Sequence, residues 1–142
     1  MRVLALDIGS VRIGVAASDE MRLLATPHSV IQRRSTESAL AAILRAVAET
    51  DAGLVVVGLP VSLDGKLHAQ ARSVQSFAEK LRKRLGVPMT YADETLSSVR
   101  AEEILRDQGV RLDRRRRHID SVAAAVILQD YLDQERRAAS RS

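Results

Sequence analysis

Cysteine is absent from these 142 residues. That excludes disulfide staples, thiolate zinc sites and cysteine nucleophiles. Tryptophan is absent too, and Phe77, Tyr91 and Tyr131 are the only aromatic residues. A surface that stacks single-stranded bases on rings has little to build with. No apolar run approaches the ~20 residues that cross a bilayer. The run from Val3 to Leu6 is shorter than the about 7–15 residues of a signal-peptide core. A cytoplasmic protein with no membrane partner is the expectation. No His-x-x-x-His pair is present, and no Gly-x-x-x-x-Gly-Lys-Ser/Thr phosphate loop.

What is present is a hydrophobic content of 46%, enough for a core, and a basic excess built almost wholly from arginine. Lysine accounts for only Lys66, Lys80 and Lys83. Arginine offers a rigid fork that matches phosphate oxygens, whereas lysine is a mobile point charge. Arg111 and Arg114, Arg115, Arg116 and Arg117 crowd one short stretch, read as a loop, and Arg136, Arg137 and Arg141 lie in the tail. Clustering of this kind points to a polyanion, with a solvated loop and tail as the plainer explanation.

The length suits one domain. Residues 2–8 predict a buried strand, Ile13–Ala17 a second, and Leu23–Thr26, ending at Pro27, a third. Short links make these an antiparallel meander. Helical spacing begins near Ser35 or Thr36, and Gly53 is expected to end that unit. Leu54–Val57 is a central strand between Gly53 and Gly58. Helices are predicted over 67–85, 97–107 and 119–134, with a strand over 87–92. A right-handed crossover makes the two later strands parallel. The expected architecture is α/β: three antiparallel strands extended by two parallel ones, with helices on both faces. One domain spans 1–134, and 135–142 is a frayed basic tail.

Carboxylates cluster at the ends of elements. Asp7 lies late in a strand flanked by Leu6 and Ile8, where an ionised group needs a partner. Capping of the Gly9-Ser10 turn is the structural alternative. Asp93 and Glu94 follow the Val87–Ala92 strand at its carboxyl end, where open α/β sheets bind ligands. Asp93 fits a turn equally well, while Glu is a weak turn former. Asp120 is read as opening the last helix, where the dipole alone would favour it. Acids meeting from separate elements would repel one another and require a cation. Hard oxygen donors without cysteine favour Mg²⁺ or Mn²⁺. Two such ions could clamp a scissile phosphate. His28, His68 and His118 are isolated in sequence, and His118 reads best as a surface or phosphate-contacting residue.

The stretch from Asp7 to Asp19, Asp-Ile-Gly-Ser-Val-Arg-Ile-Gly-Val-Ala-Ala-Ser-Asp, resembles the opening signature of the YqgF/RuvX family. Gly58-Leu59-Pro60 with Asp64-Gly65 resembles its second block, Asp93 to Ala101 its third, and Asp120 to Leu132 its last. The blocks come in family order. The resemblance implies a ribonuclease H-like fold and a metal-dependent nuclease. The family is linked to trimming the 5′ end of pre-16S rRNA, and some members are described as resolving four-way DNA junctions. Carried over residue by residue, Asp7, Glu94 and Asp120 match the acidic triad, with Asp93 as an additional metal-ligand candidate. One position departs: Thr95 stands where the family carries Arg after the Asp-Glu pair.

The expected activity is therefore hydrolysis of phosphodiester bonds in structured nucleic acid, foremost pre-16S rRNA, using two Mg²⁺ or Mn²⁺ ions. Arg12, Arg111 and Arg114–Arg117 are the expected backbone contacts. The alternatives are a Holliday junction resolvase, which would act as a homodimer, and a non-catalytic nucleic-acid-binding subunit. A small-molecule phosphotransferase of the actin-like type would need a second lobe, for which the length leaves no room.

Overall fold

Side chains alternate across a strand, so in a layered sheet each strand residue is committed to one of two faces. The computed structural model describes residues 1–60, 68–93 and 112–140. Strands β1 (Arg2–Ile8), β2 (Arg12–Ser18), β3 (Ala25–Gln32), β4 (Ala52–Leu59) and β5 (Met89–Asp93) form one sheet in the order β3-β2-β1-β4-β5. β1 pairs antiparallel with β2, and β2 with β3, while β4 runs parallel to both β1 and β5. The predicted mixed sheet is what forms. The helix predicted over 97–107 lies outside the described residues.

Helices α1 (Thr36–Thr50) and α2 (Ala69–Arg82) cover one face. Leu4, Leu6 and Ile8 of β1 pack there with Ile13, Val15, Leu40, Ile43, Phe77 and Leu81. Helix α3 (Leu112–Ser140) covers the other. There Val3, Ala5, Ala16 and Val56 meet Ala124, Ile127, Leu128 and Leu132. Small residues on both sides of this second interface let the helix backbone come close to the sheet.

α1 begins as expected. Ser35 caps it, its hydroxyl accepting from the Ser38 N–H at 3.0 Å while Ser38 returns the contact. Its end differs from expectation. Asp51 adopts the left-handed conformation at φ 53° and closes the helix, so Gly53 is free to enter β4.

The third strand is displaced from its predicted place. Leu23 and Leu24, 46% and 68% exposed, lie in the link, and β3 starts at Ala25 and runs through Pro27. Proline cannot donate to a ladder, but β3 is an edge strand, where that donor is not required. The register also slips beside it: Val15 opposes Ser29 and Ala16 opposes Pro27, with His28 opposite neither.

The last helix begins earlier and ends later than predicted. No glycine or proline occurs from 110 to 142, and arginine is a good helix former, so Arg114–Arg117 extend the helix rather than form a loop. At its other end the helix continues to Ser140, into the stretch read as a basic tail. Tertiary ties explain this. Arg136 donates to the Leu23 carbonyl, Glu135 pairs with Arg22, and Gln129 bonds both Ala25 N–H and the Leu23 carbonyl.

Beyond the Leu4–Ala17 pair, a side chain takes over from the ladder. The Val3 N–H donates to the buried Ser18 hydroxyl at 2.8 Å, and that hydroxyl donates to the Asp19 carbonyl at 2.9 Å. Ser18→Ala leaves a buried N–H without its acceptor. The expected cost is about 1–3 kcal/mol, read as a lower urea midpoint at unchanged slope.

Candidate active site at the carboxyl edge of the sheet

Asp7 is the last α3-facing position of β1. Val3 and Ala5 precede it on that face, and their burial against α3 fixes its direction. It is half-buried, and its cross-strand partner is Gly14. Cross-strand partners share a face, so at this point the α3 side of the sheet carries a carboxylate beside a residue with no side chain.

α3 uses that vacancy. A Cβ built on Gly14 would lie 1.9 Å from the Asp120 carbonyl oxygen and 2.9 Å from the Ser121 nitrogen. The helix backbone at Asp120 therefore rests directly on Gly14, next to Asp7. Two of the three predicted acids, far apart in the chain, meet on one face. Glu94 lies outside the described residues. Asp93 is exposed and, by alternation, shares the side of Met89 and Tyr91, away from Asp7. Among the described residues no three His, Asp or Glu side chains form a metal-sized cluster.

Asp120 does not open its helix. It stands eight residues after Leu112, ~12 Å along the axis. The helix dipole acts within the first turn, so it offers no account of a carboxylate here. Its partner is a cation instead: Arg12 Nε donates to Asp120 Oδ2 at 2.9 Å, with the two side chains 41% and 21% exposed. Arg12, expected to hold nucleic acid, is engaged by the acid in this structure.

Arg111 lies outside the described residues. Arg114–Arg117 fall on helical backbone in the turns before Asp120. Sequence reasoning passed over Arg33, which closes the same edge from the other side. Its N–H donates to the Val11 carbonyl at 2.8 Å, and its Nη1 donates to the Gly9 carbonyl at 2.8 Å. The turn after Asp7 is thereby pinned, with Gly9 N–H also donating to the Arg12 carbonyl at 2.9 Å. Nothing in the local sequence singles out Arg33 from Arg34.

Comparison with known proteins gives the family. The model described as "RuvX: Holliday junction resolvase" matches residues 1–134. A Roseiflexus protein named "Putative pre-16S rRNA nuclease" is 42% identical over 135 residues, covering 95% of this chain and 96% of its own. A Chloroflexus aurantiacus protein of the same name is 45% identical over 140 residues, covering 99% and 92%. Among solved structures, Thermus thermophilus RuvC in complex with a Holliday junction substrate superposes with a TM-score of 0.59 at 18% identity, covering 95% of this chain and 96% of that one. The Fowlpox virus resolvase bound to junction DNA gives 0.59 at 10% identity, covering 94% and 98%. At those identities the likeness is one of fold, the ribonuclease H-like sheet with its parallel extension. The ordered blocks, the sheet they build and the match over residues 1–134 make this chain a member of the RuvX family of nucleases.

Proposed function

We propose that this chain is a divalent-metal-dependent nuclease that processes the 5′ end of pre-16S rRNA in the cytoplasm, with Asp7, Glu94 and Asp120 as its catalytic acids. The observation that carries this reading is the meeting of Asp7 and Asp120 over Gly14. Relatives of 42–45% identity that share the pre-16S name support the substrate.

The donor set fits the metal. Carboxylate oxygens are hard ligands suited to Mg²⁺ or Mn²⁺, and a cation is already drawn to Asp120 in the form of the Arg12 guanidinium. Asp7, Glu94 and Asp120 would hold the ions. Such ions supply positive charge against the scissile phosphate and an acidified water for in-line attack. The chain's own contributions are positional. β1 holds the Asp7 carboxylate rigid at the sheet edge, and α3, seated on Gly14, holds Asp120 beside it. Arg12 pairs with the Asp120 carboxylate and lies at hand for an incoming phosphate. Arg111 and Arg114–Arg117 are the further candidate contacts to the nucleic-acid backbone. Phosphate contacts of this kind recognise shape more than sequence.

Arg12 and a divalent ion compete for one carboxylate. Arg12→Ala is expected to cost under about 1 kcal/mol of stability, because the pair is partly exposed. Its Mn²⁺ affinity, followed by electron paramagnetic resonance of the free ion, should rise several-fold. Unchanged or weaker Mn²⁺ binding would remove the competition.

The deciding experiment places a pre-16S 5′ leader and a four-way DNA junction side by side, under Mg²⁺ and under Mn²⁺. Cleavage of the leader is expected. Paired symmetric cuts in the junction alone would make the chain a dimeric resolvase. Binding without cleavage of either would make it a non-catalytic subunit.

A further inference from the structure

The face of the sheet turned away from Asp120 carries a second feature at the same edge. A cleft of ≈ 250 Å³ opens between the turn after β1 and the first turns of α2. Ile8 and Val74 form its floor, and Ser10, Arg33, Gln70 and Ser73 bring polar groups to it. Among the described residues, none that lines it is acidic. The volume lies below the ~300–1,000 Å³ of sites that enclose a whole small organic ligand. A single charged group suits it better than a nucleotide.

Arg33 is the cation of this cleft, and it is held in place before any ligand arrives. One nitrogen is tied to the Gly9 carbonyl at 2.8 Å. The guanidinium lies 4.6 Å from the centre of the Phe77 ring, itself buried in the core. Stacking and one hydrogen bond fix the plane of the fork, so little freedom is lost when its remaining donors bind. Arg12 has a carboxylate partner; among the described residues Arg33 has none. A preorganised guanidinium with no acidic partner among the described residues, in a cleft with two hydroxyls and an amide, is the donor set of a phosphate site.

Its position gives the site a purpose. Gly9, on the cleft wall, is two residues past Asp7, ~7 Å along the strand. We infer that the Arg33 cleft binds a non-scissile phosphate of the nucleic-acid strand whose neighbouring linkage lies over Asp7. The inference rests on the nuclease reading above and extends it by a subsite on the opposite side of β1. The strand would then cross the carboxyl edge of the sheet, gripped on one side by Arg33 and cut on the other.

The test is binding of a 5′-labelled RNA hairpin by fluorescence anisotropy, with chelator present so that nothing is cut, at salt from about 50 to 200 mM. Arg33→Ala should weaken binding about tenfold and lower the salt slope by about one. Arg33→Lys should recover part of the affinity through charge alone. Ser73→Asp, at an exposed helical position, should weaken binding by placing a negative charge in the cleft while Arg33 is retained. Wild-type affinity and slope in both Arg33→Ala and Ser73→Asp would overturn the subsite. So would a loss in Arg33→Ala that comes with a lower melting temperature and an unchanged slope, or no hairpin binding by the wild type. The nuclease reading fails separately: an Arg33-dependent salt slope in a protein that cuts nothing under Mg²⁺ or Mn²⁺ leaves the phosphate site standing and removes the chemistry.

Discussion

Asp7→Asn is expected to lower cleavage by on the order of 10³-fold while leaving the fold intact. The substitution keeps the size and hydrogen-bonding reach of the side chain at the end of β1. It removes the charge that would hold ions beside Asp120. Nucleic-acid affinity should hold or rise slightly, since one negative charge leaves the path of a polyanion. Single-turnover cleavage and anisotropy on the same protein read both quantities. Wild-type cleavage by Asp7→Asn would take Asp7 out of the mechanism and with it the reading of the site.

Gly14→Ala should be severely damaging. Its Cβ would sit 1.9 Å from the Asp120 carbonyl oxygen and 2.2 Å from the Asp120 carbonyl carbon. These are backbone atoms of a helix packed along the whole sheet, and no side-chain rotation relieves the contact. Either α3 lifts from the sheet or the protein loses stability, by about 3 kcal/mol or more. A lifted helix also carries Asp120 away from Asp7, so cleavage should fall more than stability explains. Gly86→Ala is the matched control, because nothing lies within 4 Å of a Cβ there. Urea unfolding and cleavage of the two variants separate the effects. Equal stability of Gly14→Ala and Gly86→Ala would mean that the close approach of α3 is not required.

Much of this molecule was legible before any coordinates. Alternation and β-branched runs gave β1, β2 and β4, and a helical period with Ser35 or Thr36 as its cap gave α1. The errors fell where tertiary context overrides a local signal. Leu23 and Leu24 look like strand residues yet sit exposed in a link, because the ladder starts where Gln129 anchors Ala25. Pro27 reads as a stop and is none at a sheet edge. The arginine run reads as a loop because it is charged, although each residue in it favours a helix.

The candidate acids and arginines belong to the sequence, as do the ordered motifs that assign the family. These are properties of residues and their chain neighbours, and periodicity carries them without knowledge of packing. The approach of Asp120 to Asp7 across Gly14, the diversion of Arg12 onto a carboxylate, the separation of Asp93 from that face and the anchoring of Arg33 were decided only on folding. Each depends on how closely elements distant in the chain pack together. That distance is set by the combined bulk of side chains on both surfaces, which no single stretch of sequence contains.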